Sequence, residues 1–205
     1  MSFDFEEIDK VFISHFHADH SCDAFSLIFS RNCNYTPYKK KLKKVLMMGP
    51  KNTEKNFKTW RKIFWPEPHE SYPVDFREGV GEVRLGSIKV ETFLIKHLPW
   101  LQSLGIIVKF GGKKLVYTGD LGSDNKLEDL VEKCQGADLL VIEASVAKPQ
   151  SNHFTLQQVK ELAEKALAKK VLIVHIPSPV IKITEDFCRK EPKFILAHDG
   201  LRVEI

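Results

Sequence analysis

The stretch SHFHADHSCD, residues 14–23, places three histidines and an aspartate within six positions, directly after the apolar run Val11-Phe12-Ile13. Polar groups at the end of a buried strand are costly unless they are hydrogen-bonded or bind something. One histidine in such a place is commonly a satisfied core residue. His15, His17, Asp19 and His20 together are not explained that way. Alternate residues leaving a strand share a face, so His15 and His17 can aim at one ion. Asp19 and His20, at the start of a following helix, can turn toward a second. Imidazoles with a few carboxylates suit zinc, or another borderline divalent ion such as manganese or iron.

The surrounding chain has the make-up of a globular protein, with 43% hydrophobic and 28% charged residues over 205 positions. That length suffices for one domain, 1–205, with a core of its own. No apolar run approaches the ~20 residues that span a bilayer. The acidic start MSFDFEEIDK lacks a signal-peptide pattern. No membrane partner and a cytoplasmic location are expected. Cys22, Cys33, Cys134 and Cys188 form no CxxC pair and read as free thiols of a reducing compartment.

The net charge of +4 is uneven, because residues 31–62 hold eleven Lys/Arg against Glu54 alone, a local +10 that leaves −6 elsewhere. A charge run reads first as a solvated helix face. Beside a catalytic cleft it would attract phosphate-bearing substrates.

Apolar patterning alternates strand and helix. Strands are predicted at 10–14, 45–48, 74–77, 82–85, 88–95, 105–110, 113–117, 139–142, 171–174, 193–197 and 201–205. Helices are predicted at 19–30, 51–64, 127–133, 155–168 and 183–190. Gly111-Gly112 signals a tight hairpin, and the Trp65-Pro66-Glu67-Pro68 run ends the second helix. Helix 155–168 has a capping box in Thr155 and Gln158 and an apolar stripe of Leu156, Val159, Leu162, Ala163, Ala166 and Leu167. Mixed sheets with flanking helices make an α/β sandwich.

Three further polar residues follow apolar strands. His97 comes after 88–95, Asp120 lies in YTGD after 113–117, and His175 lies in VLIVHIPS after 171–174. All three would open on one rim, where α/β sites lie. Singly, each could be a loop histidine, a turn former or a helix cap; together with the cluster they read as metal ligands.

HxHxDH at 15–20, followed in order by His97, Asp120 and His175, resembles the metallo-β-lactamase superfamily, from about residue 8 to the end. The resemblance implies an αββα sandwich and a dinuclear metal hydrolase. By it, His15, His17 and His97 would hold the first metal, Asp19, His20 and His175 the second, and Asp120 would bridge them. His17 stands where the oxygen-reducing di-iron branch carries glutamate, which implies a hydrolytic pair.

The later motifs resemble those of ribonuclease Z. IEAS at 142–145 is similar to its HEAT motif, NHFT at 152–155 to its HST loop, and AHDG at 197–200 to its AxDG motif. That branch implies phosphodiester hydrolysis, with RNA or a nucleotide as the phosphodiester substrate and a hydroxide bridging two divalent metals, zinc first, as nucleophile. Asp19 would help orient that hydroxide. His153 would be the general acid, worth typically ~10²–10⁴-fold, with Glu143 orienting it. His198 could lie near the metals, or it and Asp199 could simply form a turn. Readings with the metals kept but an ester, lactone, thioester or β-lactam substrate, and of an inactive metal- or nucleic-acid-binding remnant, are the alternatives.

The chain also departs from that branch. The interval between His97 and Asp120 is filled by a loop and two strands, leaving no room for a tRNA-gripping arm, and no PxKxGR-like segment occurs. HADHSCD lacks the glycine that often follows the cluster. One strand, rather than several, precedes the cluster, so some N-terminal strands are expected to be lacking. A reduced first sheet leaves an edge needing cover, which suggests weak stability or a homodimer.

Overall fold

The computed structural model describes residues 7–38, 43–65 and 72–205. The chain divides into two units, Met1–Gly79 and Val80–Ile205. Among the described residues there are two sheets and five helices, the mixed α/β inventory expected from the sequence.

The first unit runs β1 (Lys10–Phe12), α1 (Ala18–Tyr38), β2 (Val45–Gly49), α2 (Thr53–Phe64) and β3 (Val74–Glu78). The strands form a parallel sheet in the order β1-β2-β3. β2, VLMMG, is buried at all but one position, as a continuous apolar run in a parallel sheet should be. Ile13, Phe25, Ile28, Val45, Met47, Phe57, Trp65 and Tyr72 make the core. Glu78, at the end of β3, accepts hydrogen bonds from the main-chain N–H groups of Asn52 at 2.9 Å and Glu54 at 2.8 Å. A carboxylate there satisfies first-turn donors of α2 and complements its dipole.

Arg31 corrects the expectation of a basic strip that begins with it. Its side chain is fully buried, with Nη1 donating to the Ile8 carbonyl at 2.6 Å and Nη2 to that of Lys43 at 3.0 Å. The guanidinium carbon lies 5.0 Å from the centre of the Tyr72 ring, whose hydroxyl donates to the Ile28 carbonyl at 2.7 Å. Arg31 thus belongs to the core, one turn beyond Ile28, and α1 continues past the predicted end at residue 30 to Tyr38. Elsewhere in the strip, Lys44 pairs with Asp75 at 2.8 Å and Lys58 with Glu54 at 2.6 Å. Lys39, Lys40 and Lys41, and the predicted breaker 66–68, lie outside the described residues.

The second unit runs β4 (Gly81–Leu85), β5 (Ile88–Leu98), β6 (Leu101–Phe110), β7 (Lys113–Tyr117), α3 (Leu127–Cys134), β8 (Leu139–Glu143), α4 (Leu156–Lys165), β9 (Lys170–Val174), α5 (Ser178–Lys190) and β10 (Phe194–Leu196). Its sheet has the order β10-β9-β8-β7-β6-β5-β4. Gly111 and Gly112, with φ of 57° and 76°, make the expected two-residue hairpin, a turn that needs positive φ at both positions. β5 and β6 extend further toward each other than predicted and meet at Pro99-Trp100, with a register shift between Ile95 and Leu98.

Thr155 caps α4 with the reciprocal Gln158 bond, as read from the sequence. The helix ends earlier than predicted, at Lys165; Leu167 leaves the stripe, exposed and left-handed with φ 51°. α5 begins five residues earlier than predicted, because Pro177 and a proline in the first turn fix a helical entry. The strand predicted at 201–205 does not form; a turn closes with the Leu201 N–H on the His198 carbonyl at 3.1 Å.

A candidate metal centre

In the first unit, β1 delivers the chain to Ser14 and His15, both buried. Nε2 of His15 lies 3.0 Å from Nδ1 of His17, close to the ~3.4 Å that separates ligand atoms on a tetrahedral ion with ~2.1 Å bonds. The rings of His15 and His20 are 4.1 Å apart. Ser14 Oγ touches Nδ1 of His15 at 3.1 Å and Nδ1 of His20 at 3.4 Å, so one hydroxyl anchors two rings. The first turn of α1 is tied by the His20 N–H to the His17 carbonyl at 3.1 Å and by Ser21 Oγ to the same carbonyl at 2.8 Å. Asp19, its side chain 62% exposed, places Oδ2 3.3 Å from Nε2 of His20.

In the second unit the topology assembles residues far apart in sequence. β7, β8 and β9 are parallel neighbours, and β5, antiparallel to β6, runs the same way as β7. Their C-terminal ends therefore share one rim. His97 sits in the irregularity near the end of β5, Asp120 follows β7, Glu143 ends β8, and His175 follows β9. Asp120, 2% exposed, is the centre. Its Oδ2 lies 3.8 Å from Nε2 of His97, 3.8 Å from Nε2 of His175 and 4.0 Å from Nδ1 of His153. Ligand atoms of Asp120, His153 and His175 fall within 4.8 Å of one another.

The far side of each ring is fixed. Nδ1 of His97 donates to the Asn152 carbonyl at 2.8 Å. Neutral His97 is therefore the tautomer that presents Nε2 as an acceptor toward Asp120. Nδ1 of His175 meets Ser145 Oγ at 2.7 Å. Glu143, 1% exposed, accepts from Nδ1 of His153 at 2.9 Å, the Leu121 N–H at 2.9 Å and the Ser145 N–H at 3.1 Å. A buried carboxylate is affordable with that many donors.

One short loop stitches these positions together. Gly122 donates to the Lys96 carbonyl at 2.7 Å, and the Ser123 N–H donates to the Ser151 carbonyl at 2.9 Å. Asn125 bonds both main-chain groups of Lys96, its Oδ1 at 2.9 Å and its Nδ2 at 2.6 Å. A Cβ on Gly122 would lie 2.8 Å from the Ser151 oxygen and 2.9 Å from those of His97 and Lys96, so only glycine fits.

Imidazoles, buried at His97 and part-exposed at His153 and His175, around the shared Asp120 carboxylate form a donor set that fits divalent zinc, manganese or iron. His198 is exposed and bonds through Nδ1 to the Asp199 carbonyl at 3.0 Å; among the described residues it joins no histidine–carboxylate group. Cys22 and Cys33 are exposed thiols, and burial pushes the Cys134 thiol up to about 12. No sequence motif marks Ser14, Ser145, Gly122 or Asn125 as part of the site: Ser14 and Ser145 lie inside SHFHADHSCD and IEAS, but a hydroxyl carries no spacing signature.

The profile of the Beta-lactamase superfamily domain matches residues 3–176. Ribonuclease Z of Thermococcus sibiricus is 26% identical over 94% of this chain and 78% of its own length, and that of Archaeoglobus fulgidus is 22% identical over 98% and 82%. Among solved structures, the short form of human tRNase Z superposes with a TM-score of 0.78 at 20% identity, covering 100% of this chain and 82% of that one. A diphosphatase from the PhnP family gives 0.70 at 25% identity, covering 97% and 72%. The chain belongs to the beta-lactamase superfamily: it is a metallo-β-lactamase-fold hydrolase that resembles ribonuclease Z at low identity.

Proposed function

We propose that the chain is a dinuclear metal phosphodiesterase acting on RNA or a nucleotide. His15, His17 and His97 would hold one cation, Asp19, His20 and His175 the other, with Asp120 shared. The observation that carries this reading is Asp120, buried, with Nε2 of His97 and Nε2 of His175 each 3.8 Å from its Oδ2. The superfamily match over residues 3–176, which include all seven proposed ligands, supports the metal-hydrolase reading. The ribonuclease Z names of the relatives support the substrate class.

Two divalent cations, when bound, make a water nucleophilic at neutral pH and neutralise charge developing on phosphate oxygens. Zinc is the first choice for imidazole-rich sites. The chain's own groups do the rest. Glu143 holds Nδ1–H of His153, which leaves Nε2 to deliver a proton to the departing alkoxide. Asp19, exposed at the start of α1, would help orient the attacking water.

No described helix is long and apolar enough to cross a membrane. The test is release of nitrophenol from bis(p-nitrophenyl) phosphate by protein loaded with zinc or manganese. Release in the wild type and its loss in His17→Ala are expected. No release with either metal, or turnover of lactone, thioester or β-lactam substrates instead, overturns the phosphodiester assignment.

A further inference from the structure

His175 is the one proposed ligand whose backbone is left-handed, with φ 55°. A non-glycine residue reaches that region at a cost and keeps it only where the surroundings insist. Ser145 supplies the insistence. Its buried hydroxyl lies 2.7 Å from Nδ1 of His175 and 2.7 Å from the carbonyl oxygen of the same residue. A hydroxyl has one proton to give. The carbonyl can only accept, so the Ser145 proton goes to it, and the hydroxyl oxygen must accept from the ring. Nδ1 therefore carries hydrogen, and Nε2 keeps its lone pair on the side of Asp120, 3.8 Å away.

We propose that Ser145 is a positioning residue that locks neutral His175 in the Nδ1–H tautomer and presents Nε2 to a divalent cation. The inference rests on the metal-centre reading above. Ser145 is itself held by its own N–H, which donates to Glu143 Oε2 at 3.1 Å. Glu143 braces His153 through its other oxygen. One dipeptide step thus fixes both the candidate acid and a candidate ligand: Glu143 faces His153, and Ser145, two residues along and on the same face, faces His175. Partners behind metal-bound histidines commonly set tautomer and ring orientation in this way, and their loss weakens binding about 10–100-fold.

The experiment has two readouts on full-length protein. In metal-free wild type, long-range ¹H–¹⁵N spectra of the histidine rings should show His175 protonated at Nδ1. In Ser145→Ala the ring should shift toward the Nε2–H form that free imidazole prefers, and in Ser145→Thr it should return. Competition of zinc against a chromophoric chelator should give about 10–100-fold weaker binding of one of two ions in Ser145→Ala, with near-native binding in Ser145→Thr. The threonine variant keeps the hydroxyl, so it separates lost positioning from lost folding. Wild-type His175 protonated at Nε2, or an unchanged spectrum and affinity in the alanine variant, overturns the proposal. Absence of any zinc binding with the Nδ1–H tautomer intact would instead sink the metal-centre reading and leave the tautomer lock standing.

Discussion

The two histidine sets are built on opposite plans. In the first unit, four candidate ligands fall within six consecutive positions, and local geometry arranges them: a strand end, one serine hydroxyl shared by two rings, and a helix turn. In the second, His97, Asp120, His153 and His175 come from four separate stretches, and a seven-stranded sheet plus the loop around Gly122 brings them together. The difference teaches where each set is vulnerable. A local set loses one ligand at a time, whereas a dispersed set is lost wherever its scaffold gives way.

The sharpest test of that contrast is at Asp120, the group on which the second set converges. Asp120→Ala should lower nitrophenol release from bis(p-nitrophenyl) phosphate by about a thousandfold or more, the several kcal/mol of metal charge stabilisation at ~1.4 kcal/mol per tenfold. Elemental analysis should show metal lost as well. A variant within tenfold of wild type would remove Asp120 from the centre. His153→Ala should cost about 10²–10⁴-fold in kcat yet leave bound metal unchanged, because the proposed role is proton transfer. If metal leaves with the ring, His153 is a ligand instead.

Gly122→Ala probes the scaffold without touching a ligand. Three carbonyl oxygens crowd the position of the added carbon, and overpacking of this kind costs about 1–3 kcal/mol. The urea midpoint should fall and zinc affinity with it, in one variant, as a dispersed set requires. Ser14→Ala is the counterpart in the local set. Zinc affinity should weaken about tenfold, with little change in the urea midpoint; a large stability loss would show that this set is scaffold-dependent too.

The smallest effect concerns a part of the second unit with no ligand in it. The Asp138 carboxyl is held below its ordinary 3.8, first by the Lys169 ammonium and next by the Lys114 N–H. A carboxyl depressed in the folded state adds stability above its ordinary pKa, and that contribution is lost as pH falls through the folded value. Asp138→Asn should therefore lower Tm modestly at pH 7, and the gap to wild type should close as pH drops below 3.8. A gap that persists at low pH would mean packing, not charge, is at work.

Much of this was legible beforehand, and the misses have physical causes. The cluster at 15–20 declared itself because so many ionisable groups cannot share a strand end without a purpose. His97, Asp120 and His175 were placed by a simpler rule, polar residues closing apolar strands. Which nitrogen each ring turns inward could not be read, because the Asn152 carbonyl and the Ser145 hydroxyl decide it, and both meet their histidines only through the fold. The segment LRVEI alternates like a strand, but alternation makes a strand only if a neighbour offers its edge; here the Glu204 carbonyl accepts from a side chain, Lys170 Nζ at 2.6 Å, and not from a strand ladder. Leu167 fits the α4 stripe by spacing, yet the helix has already ended. Arg31 was counted as surface charge although Phe25, Ile28 and Arg31 follow one another at helical spacing along a buried face.

That arginine has a consequence for the order in which the first unit matures. Its fork rivets the main chain just ahead of the histidine strand to the main chain entering the next one, and two carbonyls must be in place before the charge can leave water. Lysine, a single point of charge on a flexible stem, could close only one end of the rivet. The histidine cluster therefore inherits its footing from a buried residue outside the cluster.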